Sequence, residues 1–560
     1  MCCRSPARTC GWGWRSGWSS TTRTASGCRV SSAPTVPTAR PSPTEGSPMT
    51  LENTTTGVER VVDGRTVRMV PYAIDGPADG RAAPKVPRDA REWLARAASM
   101  GELRVLRGVD CERGIGQITE MLHHDEDAPA VLFDDIPGYP SGYRILVNTL
   151  SRRNRLAMTI GLDENVSAAG LVDAWEAWLI DARPRPVNVV VEGPITENVL
   201  ADDDVDLNAF PTPLWHQEDG GRYIGTAVAV VTADPDTGWV NYGTYRAMIH
   251  DRNHTGLYIS PGKHGRAHQQ AWFDRGEPMP CVMLVGLSPL HFLGAALEIP
   301  DGVSELEWIG GITGEAIDCV EGRVTGLPIP AGAEIALEGY VLPDETRLEG
   351  PFGEWTGYYA SKEQQQPVFR VDAIYHRDDP ILLGCPPQKP PYEGQRFQQY
   401  GRSANLRREV RAAGVPGVVA AWTHSVGGCR LFNVISIKQQ YAGHAKQAAL
   451  VASQCRQGAY LGRIVVVVDD DIDVTDLHEV IWAVCTRHDP ERDVQILTRT
   501  TSGNLDPAIE PGRKGYNSRL IIDATRPWEW RDRFPDPIGP APAEKLAVRE
   551  TWDWILRSTP

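Results

Sequence analysis

The sequence predicts a protein of mixed α/β and β class, with an α/β region, a β-rich centre and a second α/β region. Helix-like and strand-like segments alternate before about residue 185 and again after Tyr392, as is typical of α/β domains. Between about residues 190 and 380, strand-like runs follow one another at short spacing, which favours a barrel or a sandwich. The length of 560 residues suits about three domains. We place them at 49–185, 186–385 and 386–560.

The first 48 residues differ from the rest of the chain. Arg, Ser, Thr, Gly, Cys and Trp dominate them, and no acidic residue precedes Glu45. They lack the apolar core of a secretory signal and show no hydrophobic periodicity. We expect residues 1–48 to be a non-native or disordered lead, with Met49 as the true start. An organelle transit peptide is the alternative, and a native peptide from this lead would contradict our expectation.

The first α/β region is predicted from three segments. An amphipathic helix followed by a strand is indicated by PRDAREWLARAASMGELRVL. A further strand and a further helix are indicated by APAVLFDDI and AAGLVDAWEAWLIDA.

The β-rich centre opens at NVVVEGPITE and continues in five strand-like runs: GTAVAVVTADPDTGWVNYGTYRAMIH, HTGLYISP, PCVMLVGL, EIALEGYVL and PVFRVDAIYHR. The Asp-Pro-Asp-Thr-Gly at 234–238 has the composition of a hairpin turn. One helix is expected near PLHFLGAAL.

The second α/β region again mixes both element types. Its predicted helices are RSANLRREVRAAG, HAKQAALVASQC and DLHEVIWAVCTR. Its predicted strands are VVAAW, LFNVISI, RIVVVV and DVQIL.

Composition excludes several classes of protein. The net charge of −15 and the pI near 5.4 argue against nucleic-acid binding, which normally needs a basic face. No run reaches about 18 apolar residues, so no membrane span is expected. Outside the lead, the seven remaining cysteines form no CxxC pair, which suits a reducing cytoplasm. The chain also lacks GxSxG, GxxxxGK[ST] and HExxH, which argues against P-loop hydrolysis and zincin proteolysis.

Two acids in LEGPFGEWTGYY are the first candidates for chemistry. Glu349 and Glu354 flank a turn containing Pro351 and Gly353, residues that break helical hydrogen bonding. Two carboxylates on one tight turn repel each other, and one can hold its proton near neutral pH. The alternative is a surface turn with two solvated acids.

A second candidate group lies in WVNYGTYR. Asn241 and Arg246 stand five residues apart around Gly243, at the end of a predicted strand. Glycine lets the backbone approach a ligand closely, and arginine pairs in a fork with carboxylate or phosphate. A surface salt bridge is the alternative for Arg246.

Lys263, His264 and Glu305 complete the set. The first two follow the next predicted strand on a Pro-Gly loop, and Glu305 opens a helix-like stretch. A structural histidine and a helix-dipole acid are the alternatives. If Asn241, His264 and Glu305 converge, their oxygen and nitrogen donors suit Mn²⁺ or Mg²⁺.

Several ordered motifs over about residues 90–540 give the chain a resemblance to a known family. They are EDGGRYIGTAVAVVTADPDTGWVNYGTYR, PGKHG, IPDGVSELEWIGG, EGPFGEWTGYY, ISIKQQYAGHAKQ and VVVVDDDIDVTDLHEVIWAVCTRHDPERDV. Together they resemble the UbiD family of reversible decarboxylases, which use prenylated FMN. The resemblance implies a carboxy-lyase acting on an aromatic, heteroaromatic or α,β-unsaturated carboxylic acid.

The resemblance also assigns roles to residues at matching positions. Arg246, Glu349 and Glu354 match the catalytic arginine and acids, and some members have aspartate where Glu354 stands. Asn241, His264 and Glu305 match the metal ligands. The expected cofactor-contacting residues are Asn241, Thr244, Tyr245, Arg246, Lys263, His264, Glu305 and Lys438. Lys438 and Lys446 are candidate phosphate or structural partners.

The implied mechanism answers why two acids share a turn. The modified flavin serves as electron sink, Glu354 donates the proton, and Glu349 pairs with Arg246 to set the pKa and orient the substrate carboxylate. The implied cofactors are prenylated FMN, a divalent metal of the Mn²⁺ type and, as an additional candidate, K⁺. A flavin prenyltransferase would supply the cofactor. The implied fold is an N-terminal α/β region, a central split β-barrel that binds cofactor, and a C-terminal α/β domain that builds homodimers or homohexamers.

Three other functions are alternatives. Within the family, the enzyme could work in reverse as a carboxylase of a phenol or heteroaromatic. A barrel protein binding plain FMN as an oxidoreductase would need neither the paired acids nor the Asn/His/Glu set. A non-catalytic binding or assembly subunit would be expected to lose Arg246, Glu349 or Glu354, yet all three are present.

Overall fold

The fold is described from a computed structural model. It covers residues 57–62, 64–73, 85–181, 183–297, 299, 302–359, 362–503, 505–510 and 512–539, together with 544, 547–548, 550–552 and 555. The expected lead, residues 1–48, lies outside the described residues. Within the described part, no helix is both long enough and apolar enough to span a membrane.

The first region is built around a six-stranded sheet. Its elements are β1 (Val58–Val62), β2 (Arg65–Val70), α1 (Ala90–Ser99), β3 (Leu103–Arg107), α2 (Gly114–His124), β4 (Ala130–Asp134), β5 (Arg144–Val147), α3 (Arg153–Thr159) and α4 (Ala168–Asp181). The predicted helices around Trp93 and Trp175 are confirmed, and both indoles are buried. Asp89 caps α1 by accepting a hydrogen bond from the Glu92 N–H at 2.8 Å.

The central region is dominated by an antiparallel sheet. Its strands are β6 (Asn188–Val190), β7 (Asn198–Ala201), β8 (Tyr223–Gly225), β9 (Ala229–Ala233), β10 (Val240–Gly243), β11 (Ala247–Met248), β12 (His254–Gly256), β13 (Met279–Gly286), β14 (Asp318–Glu321), β15 (Pro328–Pro330), β16 (Ile335–Glu349), β17 (Gln364–His376) and β18 (Ile381–Gly384). Its helices are α5 (His264–Asp274), α6 (Pro289–Ala295) and α7 (Glu305–Thr313). The predicted hairpin turn at 234–238 joins the paired strands β9 and β10, and the predicted helix near Leu290 is α6.

The main central sheet runs in the order β10-β9-β13-β16-β17-β12, and β7 also pairs with β17. Among the described strands, β10 and β12 end this ladder, so no closed barrel forms there. The long strands β16 and β17 pair with each other within this sheet, and Glu349 is the last residue of β16.

The last region is a five-stranded sheet with helices. Its elements are α8 (Glu393–Ala412), β19 (Val418–Thr423), β20 (Phe432–Ile437), α9 (His444–Gln454), α10 (Arg456–Ala459), β21 (Ile464–Asp469), α11 (Leu477–Arg487), β22 (Val494–Thr501) and β23 (Tyr516–Ala524). The sheet order is β19-β20-β21-β23-β22. All the helices and strands predicted here are present. The predicted order of an α/β region, a β-rich centre and a second α/β region is therefore present, and the mixed α/β class is confirmed.

Strand pairing and buried hydrogen bonds link the first region to the chain beyond it. Strand β18 adds to the edge of the first sheet, parallel to β5. The buried Glu393 carboxylate at the start of α8 accepts hydrogen bonds from the Thr149 hydroxyl and the Leu150 N–H, both at 2.7 Å. The segment between β18 and α8 is therefore anchored to the first region at both ends.

Candidate active site

The two acids of the turn are brought to one point by a break in β16. Glu349 ends the strand, a cis Gly350–Pro351 bond follows, and Gly350 has φ of 104°, a backbone angle that favours glycine. The Gly357 N–H then donates to the Glu354 carbonyl at 2.8 Å, closing a turn. No helix forms across these residues, in agreement with the sequence.

Arg246 lies between the two acids. Its Nε donates to Glu349 Oε1 at 2.6 Å, and its Nη1 donates to Glu354 Oε1. The side chains of Arg246, Glu349 and Glu354 are only 14, 0 and 8% exposed. The alternatives of a solvated surface turn and a surface salt bridge are therefore wrong. One guanidinium fork serves two buried carboxylates, a geometry that lysine cannot reproduce.

Burial sets the electrostatics of this cluster. It raises the pKa of both Glu349 and Glu354, and the Arg246 charge offsets only part of the rise. Glu349 and Asp219 raise the pKa of Glu354 further. For Arg246, burial opposes the charged form, but Glu354 and Glu349 outweigh it and raise its pKa. A single positive charge between two buried carboxylates favours retention of one proton by the pair.

Aromatic rings hold the guanidinium in place. The Arg246 Cζ lies 4.6 Å from the ring centroid of Tyr258 and 5.5 Å from that of Phe352. Phe352 in turn packs on Tyr223, with centroids 3.9 Å apart. Cation–π contacts of this kind strengthen where water is excluded. Tyr258 and Tyr223 were not identified from the sequence, because isolated tyrosines in strand-like runs carry no signal beyond core packing.

Asn241 and the start of α5 meet at Tyr245, and Glu305 contacts the neighbouring backbone of β10. The Tyr245 hydroxyl accepts hydrogen bonds from Asn241 Nδ2 at 3.3 Å and from the Gly265 N–H at 3.2 Å. Gly265 directly follows His264, the first residue of α5. Glu305 Oε2 accepts the Tyr242 N–H at 2.8 Å. Strand β10 and the starts of α5 and α7 thus meet at one place.

The residues present there fit a cation. Burial raises the pKa of Glu305 to about 7, and hydrogen bonds from the Tyr242 and Glu305 N–H groups and the Lys263 charge offset part of that rise. A carboxylate, an amide and an imidazole are together a suitable donor set for Mn²⁺ or Mg²⁺, and the His264 ring of this set lies against the Trp239 indole, with ring centroids 4.9 Å apart. The described residues contain no group of three or more His, Cys, Asp and Glu side chains placed to hold a metal; this set would rely on the Asn241 amide for its third ligand. The Thr244 hydroxyl is also buried, with no hydrogen-bond partner among the described residues, which fits contact with a polar cofactor atom.

The structure gives the surroundings of Gly243 and of the two candidate lysines. A Cβ at Gly243 would lie 2.5 Å from the Tyr245 hydroxyl, so the nearest reason for this glycine is room for Tyr245 rather than for a ligand. Lys438 is exposed just after β20, where its backbone N–H donates to the Gly417 carbonyl. No described contact joins Lys438 to the converging residues. Lys446 is likewise exposed, on α9.

A cavity of about 460 Å³ borders Glu354. Residues of α2, the 214–217 segment, the acid turn and Pro387–Lys389 line it. The segment between β18 and α8 therefore reaches this cavity through residues 387–389. His216 in this lining was missed, because a lone histidine without a metal-type spacing carries no signal in the sequence.

Comparison with known proteins adds to this geometry. Three family models match consecutive parts of the chain: the N-terminal (residues 94–175), Rift-related (188–390) and C-terminal (395–524) domains of the 3-octaprenyl-4-hydroxybenzoate carboxy-lyase UbiD. The pyrrole-2-carboxylic acid decarboxylase of Pseudomonas aeruginosa is 33% identical over 458 residues, covering 78% of this chain and 91% of the relative. The chain belongs to the UbiD family. It is thereby a carboxy-lyase, and the resemblance noted in the sequence is confirmed.

Other UbiD proteins agree in sequence and in fold. The phenolic acid decarboxylase of Sedimentibacter hydroxybenzoicus is 33% identical over 464 residues, covering 79% of this chain and 92% of the relative. The UbiD-class enzyme HmfF from Pelotomaculum thermopropionicum, in complex with FMN, superposes with a TM-score of 0.73 at 29% identity, covering 82% of this chain and 99% of HmfF. An evolved dimeric form of HmfF was solved in complex with prenylated FMN, with a TM-score of 0.70 at 27% identity, covering 83% of this chain and 99% of that form.

Proposed function

We propose that this UbiD protein decarboxylates an aromatic, heteroaromatic or α,β-unsaturated carboxylic acid with the help of prenylated FMN, and that Glu354 is the proton donor. The observation that carries the assignment is the buried Arg246 guanidinium, which donates one hydrogen bond to Glu349 and another to Glu354. Plain hydride transfer needs no such arrangement, which counts against the oxidoreductase alternative. The presence of all three residues likewise counts against a non-catalytic subunit.

The roles of the three residues follow from their environment. Loss of CO₂ breaks a carbon–carbon bond and leaves an electron pair on the substrate carbon, which must then receive a proton. Burial raises the pKa of Glu354, which favours its protonated form, so its Oε–H bond can break as the new C–H bond forms. Arg246 remains charged, orients the incoming carboxylate and stabilises the Glu354 carboxylate left behind. Glu349 holds Arg246 in position.

Prenylated FMN, when bound, supplies the electron sink for the carbon that loses CO₂. Asn241, His264 and Glu305 are proposed to hold a divalent metal of the Mn²⁺ type. Thr244, Tyr245, Arg246 and Lys263 are proposed to contact the cofactor, and the buried Thr244 hydroxyl, which has no hydrogen-bond partner among the described residues, supports this. Lys438 remains a cofactor-contact proposal that rests on the family resemblance alone.

The remaining family expectations are carried over as proposals. They comprise a split-barrel arrangement of the central strands, K⁺ as a further cation, cofactor supply by a flavin prenyltransferase, and a homodimer or homohexamer built by the C-terminal domain. The seven described cysteines are all free thiols, which supports a cytoplasmic location. The names of two relatives, decarboxylases of pyrrole-2-carboxylic and phenolic acids, favour a ring substrate bearing an N–H or O–H group.

The test is paired expression with and without a flavin prenyltransferase. Cofactor mass, absorption spectrum and CO₂ release against a panel of aromatic, heteroaromatic and unsaturated acids are measured in both preparations. We expect prenylated FMN and CO₂ release only after co-expression. Glu354→Gln should retain the cofactor and lose turnover, and full activity in that variant would defeat the proton-donor assignment. Assays with added bicarbonate and the ring products test the carboxylase direction.

A further inference from the structure

The cavity beside Glu354 has the lining of a water path. Charged and amide side chains predominate among its walls: Glu112, Arg113, Gln117, Glu120, Gln217 and Lys389. Pockets that bind small ring compounds are lined mainly by apolar and aromatic side chains. A volume of about 460 Å³ holds several water molecules, since each occupies about 30 Å³ in the liquid.

One titratable pair joins this cavity to the acid turn. His216 lines the cavity, and its Nδ1 lies 2.9 Å from Oδ2 of Asp219. The same Asp219 oxygen accepts the backbone N–H of His216 at 3.0 Å. The Asp219 side chain is fully buried, so its charge is held by these donors rather than by bulk water.

The pair also contacts the backbone beside the proton donor. Asp219 Oδ1 accepts the Gly353 N–H at 3.0 Å, one residue before Glu354. A Cβ at Gly353 would lie 2.8 Å from His216 Nδ1, so the imidazole lies directly on that glycine. The imidazole also meets the Phe352 and Tyr359 rings edge to face, at centroid distances of 5.7 and 6.5 Å.

The hydrogen bonds select a tautomer for His216. An ionised Asp219 carboxylate can accept hydrogen bonds but cannot donate them, so Nδ1 of His216 carries the hydrogen. Nε2 of the neutral ring then keeps its lone pair. Nε2 is buried and has no hydrogen-bond partner among the described residues. An Asp-oriented imidazole with a vacant Nε2 lone pair is suited to take up a proton and pass it on.

We propose that this cavity is the path by which Glu354 regains its proton, and that His216, oriented by Asp219, is the residue that transfers it. The inference rests on the proposed role of Glu354. After Glu354 has given its proton to carbon, a proton from cavity water binds Nε2. The resulting imidazolium is stabilised by the Asp219 carboxylate. The Nε2–H bond then breaks and the proton passes to the Glu354 carboxylate through water in the cavity, which both residues line. Each turnover thus consumes one solvent proton and releases one CO₂.

The test uses the cofactor-loaded enzyme and two substitutions at the pair. We expect His216→Gln and Asp219→Asn to lower kcat at least tenfold, with KM within about twofold, because proton supply becomes limiting. Imidazole added to His216→Ala should restore part of kcat. Exchange of the product C–H hydrogen with D₂O should slow in parallel. His254→Gln is the matched control, since His254 forms a similar 2.9 Å pair with Asp251 and lines no part of this cavity.

A substitution elsewhere in the cavity lining gives a second test that does not depend on how the His216–Asp219 pair folds. Gln117 is exposed on α2, and Gln117→Trp should narrow the cavity and lower kcat, whereas Gln117→Ala should not. Wild-type kcat in both His216→Gln and Gln117→Trp would overturn the proposal. So would a loss in His216→Ala that imidazole leaves unchanged while KM rises. If Glu354→Gln is active, the proposed function fails instead, whatever the His216 variants show.

Discussion

Replacing Glu349 by glutamine should shift the pH dependence of turnover toward acid. In the wild type, Glu349 and Glu354 bond different nitrogens of the same Arg246 guanidinium. The Glu349 charge therefore raises the pKa of Glu354, in addition to the larger effect of burial. Without that charge Arg246 pairs with Glu354 alone, and the pKa of Glu354 falls.

The size of this shift follows from the geometry. Two carboxylates on one guanidinium have charges roughly 6 Å apart, and at an effective dielectric constant of about 20 their repulsion is about 3 kcal/mol. That energy corresponds to about two pKa units. A proton donor acts only when it is protonated. The pH at which kcat falls should therefore be lower in the variant by about two units. Glutamine keeps the size of the side chain, which leaves burial nearly unchanged.

The assay is CO₂ release across a pH series, with cofactor absorbance recorded at each pH. Glu349→Gln should approach wild-type activity only at acidic pH and lose up to about a hundredfold near neutrality, which is what two pKa units imply. Glu354→Gln is the control and should be inactive throughout. An unchanged pH profile in Glu349→Gln, with cofactor retained, would refute the coupling between the two acids.

Three further predictions concern the metal, the turn and the core. Glu305→Ala should reduce the Mn²⁺ and flavin content of purified protein, measured by mass spectrometry, while Glu307→Ala on the same helix should not; equal contents would count against the metal assignment. Gly220→Ala should lower activity and stability, because its Cβ would lie 1.8 Å from the Gly350 carbonyl oxygen and displace the acid turn; thermal melting and CO₂ release measure both, and unchanged values would show that the contact is not tight. Trp93→Ala should cost about 3–5 kcal/mol of unfolding free energy, because this indole is fully buried; denaturant unfolding checks it, and a cost below 1 kcal/mol would contradict the packing.

The sequence predicted those parts of the fold that rest on hydrophobic patterning. Apolar strands such as those around Val282 and Val466 were placed correctly, because buried strands read as continuous apolar runs. The β1–β2 hairpin was missed, since β1 is exposed along its whole length and no apolar alternation marks it. Helix α5 was missed because HGRAHQQAWFD carries few apolar residues. The end of β16 was missed because Asp344 and Glu345 look like a loop, although pairing with β17 continues on either side of a bulge.

The candidate site was predictable in its residues but not in its contacts. Pro351 and Gly353 marked the acid turn, and the family motifs marked Arg246. Asp219 and Gly353 are 134 residues apart in the sequence, and no local sequence pattern indicates that two such distant residues are in contact. Burial of the acids also depended on the tertiary packing, because short polar turns are ordinarily exposed.

The acid turn has a consequence for how this enzyme can change over evolutionary time. Both carboxylates come from one six-residue span whose Pro351 carbonyl accepts the Gly220 N–H at 2.8 Å, so an inserted residue would disturb both acids together. Arg246 belongs to a separate part of the chain. Its loss by a single codon change would leave two buried carboxyl groups without a counter-ion, and both would then be driven toward the neutral form. The cavity walls on α2 and at Pro387–Lys389 lie outside this span, so substitutions there can alter the cavity without moving the two acids.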